Sequence, residues 1–312
     1  AATVDFTERI DIAIDINVLG PLRLLTMAKN IFNVKCFVQV SSTYSSSNQP
    51  SGRKVYEKIY PLEFDPHALI QSVQGGKSEI ELANITNRAL GTYPNTYCLT
   101  KHISEVLMVL KRKELQIPLH IVRPSIIGAA LREPWPGWID SRFAAGAVLM
   151  AGGLGLLTVM PGINRSVGDI IPVDTVANHM IHAGMETYEK NPRLKADISN
   201  CGTSYQNPCN WRQVQMAFGH FRDYPSPNAS GPPTFSMIDS PQRFQIEWFL
   251  RYTLPSSAYR TFAELIRDPG HIKTSKRLAR GVEQARTVNI TFEFFTRNQW
   301  FFKNGMAQSW VK

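Results

Sequence analysis

The 312 residues suffice for one large α/β domain, or two smaller ones, with a substantial core. A composition of 43% hydrophobic and 19% charged residues, with no low-complexity tract, excludes a disordered or collagen-like chain. The net charge of +9 predicts attraction for anionic partners, yet no nucleic-acid-binding motif accompanies it, which argues against DNA or RNA.

That charge is uneven, since residues 241–312 carry 12 Lys/Arg against 5 Asp/Glu. A solvated basic surface accounts for it, and so does attraction for nucleotide phosphates, a coenzyme tail or a lipid face. Cys36, Cys98, Cys201 and Cys209 show neither CxxC spacing nor nearby paired histidines. They read as reduced thiols rather than as a metal site or a disulfide framework. N-x-S/T triplets begin at Asn84, Asn164, Asn228 and Asn289 and would matter only in a secreted chain. The opening "AATVDFTERI" is not a basic-then-apolar leader.

In chain order, residues 8–30 read as a long amphipathic helix. Ile12, Ile16, Leu24, Leu25 and Ala28 mark its apolar side, and Gly20-Pro21 is expected to kink it. "KCFVQV", 35–40, has the look of a buried parallel strand, stopped by the loop "SSTYSSSNQPSG". Within the polar stretch 51–94 a helix is expected near 77–90. The next runs from about Asn95 to Lys113, with Ile103, Val106, Leu107 and Leu110 at i, i+3, i+4 and i+7. "PLHIVRPSIIG", 118–128, is a second buried strand ending in a loop. Alternating strand, helix and strand imply a parallel sheet with right-handed crossovers.

Phe143–Ile163 carries no charge and has about the length of a membrane span. Six glycines and prolines crowd it, however, and predict a bent apolar element lining a greasy pocket. "GDIIPVDTVANHMIHAGM", 168–185, reads as a short strand and a helix with Asp174 as N-cap, and 196–204 as one more strand. "YPSPNASGPP", 224–233, is the best linker candidate, and beyond it the pattern turns helical, basic and aromatic. The expected division is therefore 1–223, a linker over 224–240, and 241–312.

The chemistry centres on "NTYCLTK", 95–101, where Tyr97 and Lys101 lie four apart on one helical face. An ammonium there favours the ionised phenol and predicts a lowered pKa for Tyr97, the property of a proton donor to a carbonyl oxygen. Ser41-Ser42-Thr43 follows one predicted strand and supplies hydroxyls for the same oxygen. Arg123-Pro124-Ser125-Ile126 follows the next, where backbone groups would meet a flat ring. Singly, these features are also ordinary turn chemistry and a capped surface helix. Their order at strand ends is a narrower coincidence. Gly152-Gly153-x-Gly155 follows no clear strand and is not a dinucleotide loop.

That order resembles the extended short-chain dehydrogenase/reductases, and within them the chain resembles a fatty acyl-CoA reductase. The stretches that carry the likeness include "INVLGPLRLLTMAK" at 16–29, "FVQVSSTY" at 37–44, "NTYCLTK" at 95–101 and "VGDIIPVDTV" at 167–176. The most specific is "IVRPSIIGAALREPWPGWID" at 121–140, and "FFTRNQWFFKN" at 294–304 resembles the family's smaller C-terminal domain.

The resemblance implies a doubly wound, Rossmann-type parallel sheet followed by a smaller, mostly helical domain. It implies NADPH as cofactor and a long-chain acyl-CoA as substrate, reduced through an aldehyde to a fatty alcohol with release of coenzyme A. Tyr97 is then the general acid, Lys101 its pKa-lowering partner and ribose ligand, and Ser42 the hydroxyl on the carbonyl. Asn17 matches a residue supporting a proton relay. Ala1, Ala2, Ser41, Pro124, Ser125 and Ile126 match positions beside the cofactor. Glu133, Trp135, Gly137 and Trp138 are signature positions, on a substrate-side loop or in plain packing.

The sequence holds no G-x-x-G-x-x-G loop, so it is expected to start after the fourth strand of such a domain. The family further implies membrane association in peroxisomes, endoplasmic reticulum or plastids. Two alternatives stand beside this reading: an extended dehydrogenase of sterol-like or nucleotide-sugar alcohols, and a catalytically inactive lipid- or membrane-binding fragment.

Overall fold

The computed structural model describes residues 2–141, 145–190, 196–227, 229, 231 and 233–305. Ala1, Phe143 and Asn228 lie outside them. Helix α1 (Ile10–Ile14), a π turn (Asp15–Leu19) and α2 (Gly20–Ala28) form one uninterrupted helical run. Strand β1 (Phe37–Val40) comes next, then a 3-10 turn (Thr43–Ser46) and β2 (Lys54–Val55). Three helices follow: α3 (Pro66–Ser72), α4 (Glu79–Leu90) and α5 (Thr96–Leu115). After β3 (Leu119–Pro124) and β4 (Ile126–Gly128) come α6 (Ala145–Gly153) and β5 (Val159–Pro161). Then follow β6 (Ile170–Pro172), α7 (Val173–Lys190), β7 (Asp197–Cys201) and α8 (Trp211–Asp223). The chain continues with β8 (Ser236–Ile238), α9 (Pro241–Trp248) and a second π turn (Phe249–Thr253). It goes on through α10 (Leu254–Ile266), α11 (Pro269–Arg297) and β9 (Phe301–Phe302).

The first compact unit comprises the residues up to Ile139, Ile170–Gln206 and those from Trp300 onward. Its centre is a parallel sheet of order β1-β3-β7, with Val40 beside Val122 and Pro124 beside Cys201. Strand alternation sends Leu119 and Ile121 to one face, among Leu25, Ala28 and Met108 of α2 and α5. Val38 and Val122 go to the other, against Val176 and Ala183 of α7. A sheet with helices on both faces is the doubly wound α/β arrangement.

The second unit comprises Asp140–Asp169 and Asn207–Gln299. It is mostly helical, with β5 paired in parallel to β8. Asn289 Nδ2 donates to the Val159 carbonyl at 3.2 Å and Thr296 Oγ1 to that of Pro161 at 2.7 Å, fixing α11 along β5. The units therefore cut the chain differently from the expected 1–223, 224–240 and 241–312. Residues 236–238 are a strand, not linker, and β9 returns to the first unit because it pairs with β2. Of the apolar stretch 143–163, the described part is a helix, a bend at Gly155 (φ +70°) and a strand. Among the described residues no helix is long and apolar enough to cross a membrane.

The first helical run corrects the sequence reading in two ways. Its irregularity is the π turn, in which the Gly20 amide bonds back to the Asp15 carbonyl, and Pro21 merely opens α2. The extra residue in that turn shifts the helical phase. Ile10, Ala13, Ile14 and Val18 are consequently buried, while Ile12 and Leu24 are exposed. Leu110 of α5 is exposed for another reason. The first half of α5 is buried nearly all round, so its apolar stripe alone does not define its contacts.

Between β3, β7 and α7 lies a buried polar network. One Ser199 hydroxyl meets Nε2 of both His120, at 2.9 Å, and His179, at 2.7 Å, and His120 Nδ1 meets the Thr187 hydroxyl at 2.8 Å. Burial holds His120 below its usual range and His179 down to about 4. Both are therefore neutral in the fold, whereas the unfolded chain protonates them near pH 6.5. The unfolded state then binds more protons, so stability falls as pH drops from about 6.5 toward 4, by roughly 3 kcal/mol for His179. Denaturation midpoints measured across that window should show the loss, and a flat profile would contradict it.

Candidate active site

The site forms where β1 and β3 end against the first turns of α5. Asn95 opens α5, its side chain accepting from the Cys98 amide at 2.9 Å. Tyr97 and Lys101 are thus successive turns of one face, as the spacing predicts. Ser42, just past β1, is held by the Tyr44 amide, which donates to its Oγ at 3.2 Å. The Ser42 hydroxyl lies near the Tyr97 phenol. Phe6 stacks on the Tyr97 ring with centroids 5.4 Å apart. Nothing in "AATVDF" signals that contact, because the residues between carry no register.

The electrostatics differ from the expectation. The Lys101 ammonium lies 5.7 Å from the Tyr97 ring centroid and donates to the Val40 carbonyl at 3.2 Å. Burial pushes the Tyr97 phenol up, the nearby Ser42 hydroxyl opposes that in part, and Lys101 brings about no lowering. The phenol is protonated at neutral pH, the form a general acid requires. Lys101 itself is pushed down to about 8 by burial, against which Glu105 holds it up. It remains mostly charged at pH 7.

Asn17 sits in the π turn and is 1% exposed. Its Oδ1 accepts from the Thr3 amide at 3.0 Å, and its Nδ2 donates to the Thr3 carbonyl at 3.2 Å and to Thr100 Oγ1 at 3.1 Å. It straps the segment bearing Ala2 to α5 beside Tyr97. Asn17→Ala should cost about 1–3 kcal/mol, the penalty of buried groups left unpaired. Hydrogen exchange at the Thr3 amide would report it, and unchanged protection there would refute the strap.

Pro124 ends β3, and the Ser125 amide donates to the Cys201 carbonyl at 2.9 Å, placing both at the same edge as Ser42. Ile126, half-buried, starts β4, which pairs with β6. Asp174 does not cap α7, because that helix already begins at Val173. Its carboxylate instead accepts the amides of Leu131, Arg132 and Glu133 at 2.8–3.2 Å, and these bonds hold it down to about 2. The loop carrying Trp135 and Trp138 is thereby anchored at its start.

The group missed by the sequence reading is Glu105, one turn beyond Lys101. Fully buried, it forms a bidentate pair with Arg123 of β3, Nε to Oε1 at 2.9 Å and Nη2 to Oε2 at 2.6 Å. The i, i+4, i+8 spacing of Tyr97, Lys101 and Glu105 was its one sequence signal. Ser41, buried at the end of β1, lies close enough to that carboxylate to help hold its pKa down.

The residues present fit the nicotinamide end of a dinucleotide: an ammonium, two hydroxyls and two backbone turns at strand ends. No G-x-x-G-x-x-G run in the sequence meets the pyrophosphate. The model of the NAD_binding_4 family, described as male sterility protein, matches residues 1–180. The chain belongs to that family.

Among curated proteins, fatty acyl-CoA reductase 1 of Xenopus laevis is 31% identical over 306 residues, 97% of this chain and 57% of the relative. Human fatty acyl-CoA reductase 2 is 29% identical over 301 residues, 96% of this chain and 57% of the relative. The chain thus spans just over half the length of these relatives. Among solved structures, the terminal R domain of the myxalamid PKS-NRPS pathway matches with a TM-score of 0.53 and 16% identity. That match covers 99% of this chain and 60% of the other, and it shows a shared fold. As a male sterility family member homologous to fatty acyl-CoA reductases, the chain is an NAD(P)-binding oxidoreductase by family and fold.

Proposed function

We propose that the protein contributes the catalytic half of an NADPH-dependent reductase that converts long-chain acyl-CoA to fatty alcohol through an aldehyde. The observation that carries this reading is Tyr97 at the start of α5 with the Lys101 ammonium 5.7 Å from its ring centroid, beside Ser42 at the end of β1. Homology to fatty acyl-CoA reductases supports the thioester as substrate.

Bound NADPH supplies hydride. Lys101, anchored on Val40, has ammonium protons to offer a ribose hydroxyl, and Pro124 and Ser125 present backbone to the nicotinamide ring. Ser42 donates to the thioester carbonyl oxygen and holds it against Tyr97, which gives that oxygen its proton as charge develops there. The hemithioacetal so formed on the substrate loses coenzyme A. The resulting aldehyde meets the same two hydroxyls in a second reduction. Phe143–Ile163 as an acyl-chain lining, and a basic 241–312 facing coenzyme phosphates or a membrane at an organelle surface, belong to the same proposal.

The test is product analysis of the full-length protein with palmitoyl-CoA and NADPH. Two NADPH should be consumed per coenzyme A and alcohol released. Turnover of a sterol or nucleotide sugar, with no free thiol from the thioester, would replace this reading with that of an alcohol dehydrogenase.

A further inference from the structure

Resting on that reading, we infer that Glu105 is the positioning residue of the site. Paired with Arg123, it draws the ends of β1 and β3 onto α5 and sets where Ser42 and Lys101 stand. The Glu105 carboxylate, carried by α5, joins β3 to the 3-10 turn that follows β1. Arg123 of β3 takes both oxygens. Ser45, from the 3-10 turn just after Ser42, donates to Oε1 at 3.0 Å. Arg123 in turn donates to the Lys58 carbonyl at 3.1 Å, so the loop after β2 is held by the same pair.

Ser42 opens the 3-10 turn whose Ser45 is tied to Glu105, and the Val40 carbonyl that anchors Lys101 lies two residues before it. A shift of the carboxylate therefore moves the hydroxyl and the ammonium together. Such a pair is weak support for stability, since burying two charges costs about what their attraction returns. It is strong geometric control, because a two-pronged guanidinium–carboxylate fork fixes both direction and distance. Lys101 is faced by Tyr97 and Glu105 from α5, by the Val40 carbonyl from β1, and beyond Glu105 by Arg123. His102, hydrogen-bonded to Tyr93 and to the Tyr60 carbonyl, lies beside the same carboxylate. Glu105 is the anion in that group, and its loss leaves Lys101 near a guanidinium with nothing to offset it.

The experiment compares Glu105→Gln, Glu105→Asp and the doubly neutral Glu105→Met/Arg123→Met in the full-length protein. The readouts are a lysine side-chain NMR titration of Lys101 and NADPH affinity by fluorescence. In Glu105→Gln the Lys101 titration should move down by at least one unit, a tenfold change in acidity. Glu105→Asp keeps the charge but retracts it by one methylene, so it should leave that titration near the wild-type value while weakening NADPH at least tenfold. The double variant keeps a filled interior and should fold, yet it too should bind NADPH at least tenfold more weakly. Should Glu105→Gln fail to fold, the other two variants carry the decision. Wild-type NADPH affinity in a folded double variant, or an unmoved Lys101 in Glu105→Gln, would reduce the pair to packing and overturn the inference. A wild-type protein that binds no NADPH would sink the reductase reading instead, while the Lys101 titration still decides the role of Glu105.

Discussion

Replacing Tyr97 by phenylalanine is expected to lower kcat/KM for acyl-CoA reduction by about 10²–10⁴, the usual range for a lost general acid. The fold should survive, because the ring keeps its stack on Phe6 and only one hydroxyl leaves a site where Ser42 also holds the Tyr44 amide. The stability change should stay within about 1.5 kcal/mol, the most that one polar hydroxyl typically contributes. Rate and stability therefore separate cleanly in this variant. NADPH should bind nearly as before, since Lys101 and the β3 edge are untouched. A rate within a factor of a few of wild type, with the product unchanged, would assign proton donation to another group. The neutral state of the phenol also sets the pH behaviour. Burial keeps it protonated well past neutrality, so the alkaline limb of the rate profile should follow Lys101, whose ammonium is lost around pH 8.

Arg123→Met should be the most destabilising single change in the first unit, costing about 3–5 kcal/mol. The side chain is fully buried, and its removal strands the Glu105 carboxylate with the Ser45 hydroxyl as its donor. The unfolding midpoint should fall by roughly 10 °C. Adding Glu105→Met should recover much of that loss, because uncharged side chains of similar volume replace such pairs at little cost. Calorimetry of the single and double variants measures both. Equal destabilisation by the two would show that the damage came from packing rather than from an unpaired charge.

The contrast between these two residues marks the limit of local reading. Tyr97 and Lys101 were legible in the sequence because a helix fixes the i, i+4 relation by its own geometry, and Asn95 made the helix start visible. The strands at 37–40 and 119–124 were legible too as short apolar runs, but only the second is buried throughout, Val40 of the first being exposed. Asn17 was singled out through a family likeness, but its work was not legible. Its partners, Thr3 and Thr100, stand 14 and 83 positions away. The same holds for Asp174, read as a cap and found tying down amides more than forty residues earlier.

By itself the sequence determined the parallel α/β class, the ends of the strands that bear the hydroxyls, and the tyrosine–lysine face of α5. All of these follow from interactions within a turn or two of the chain. Tertiary structure alone decided the protonation state of Tyr97, the Glu105–Arg123 pair, and the return of β9 to the first unit. The reason is common to the three. Burial and cross-strand pairing depend on which distant segments meet, and a local pattern of residue types carries no record of that.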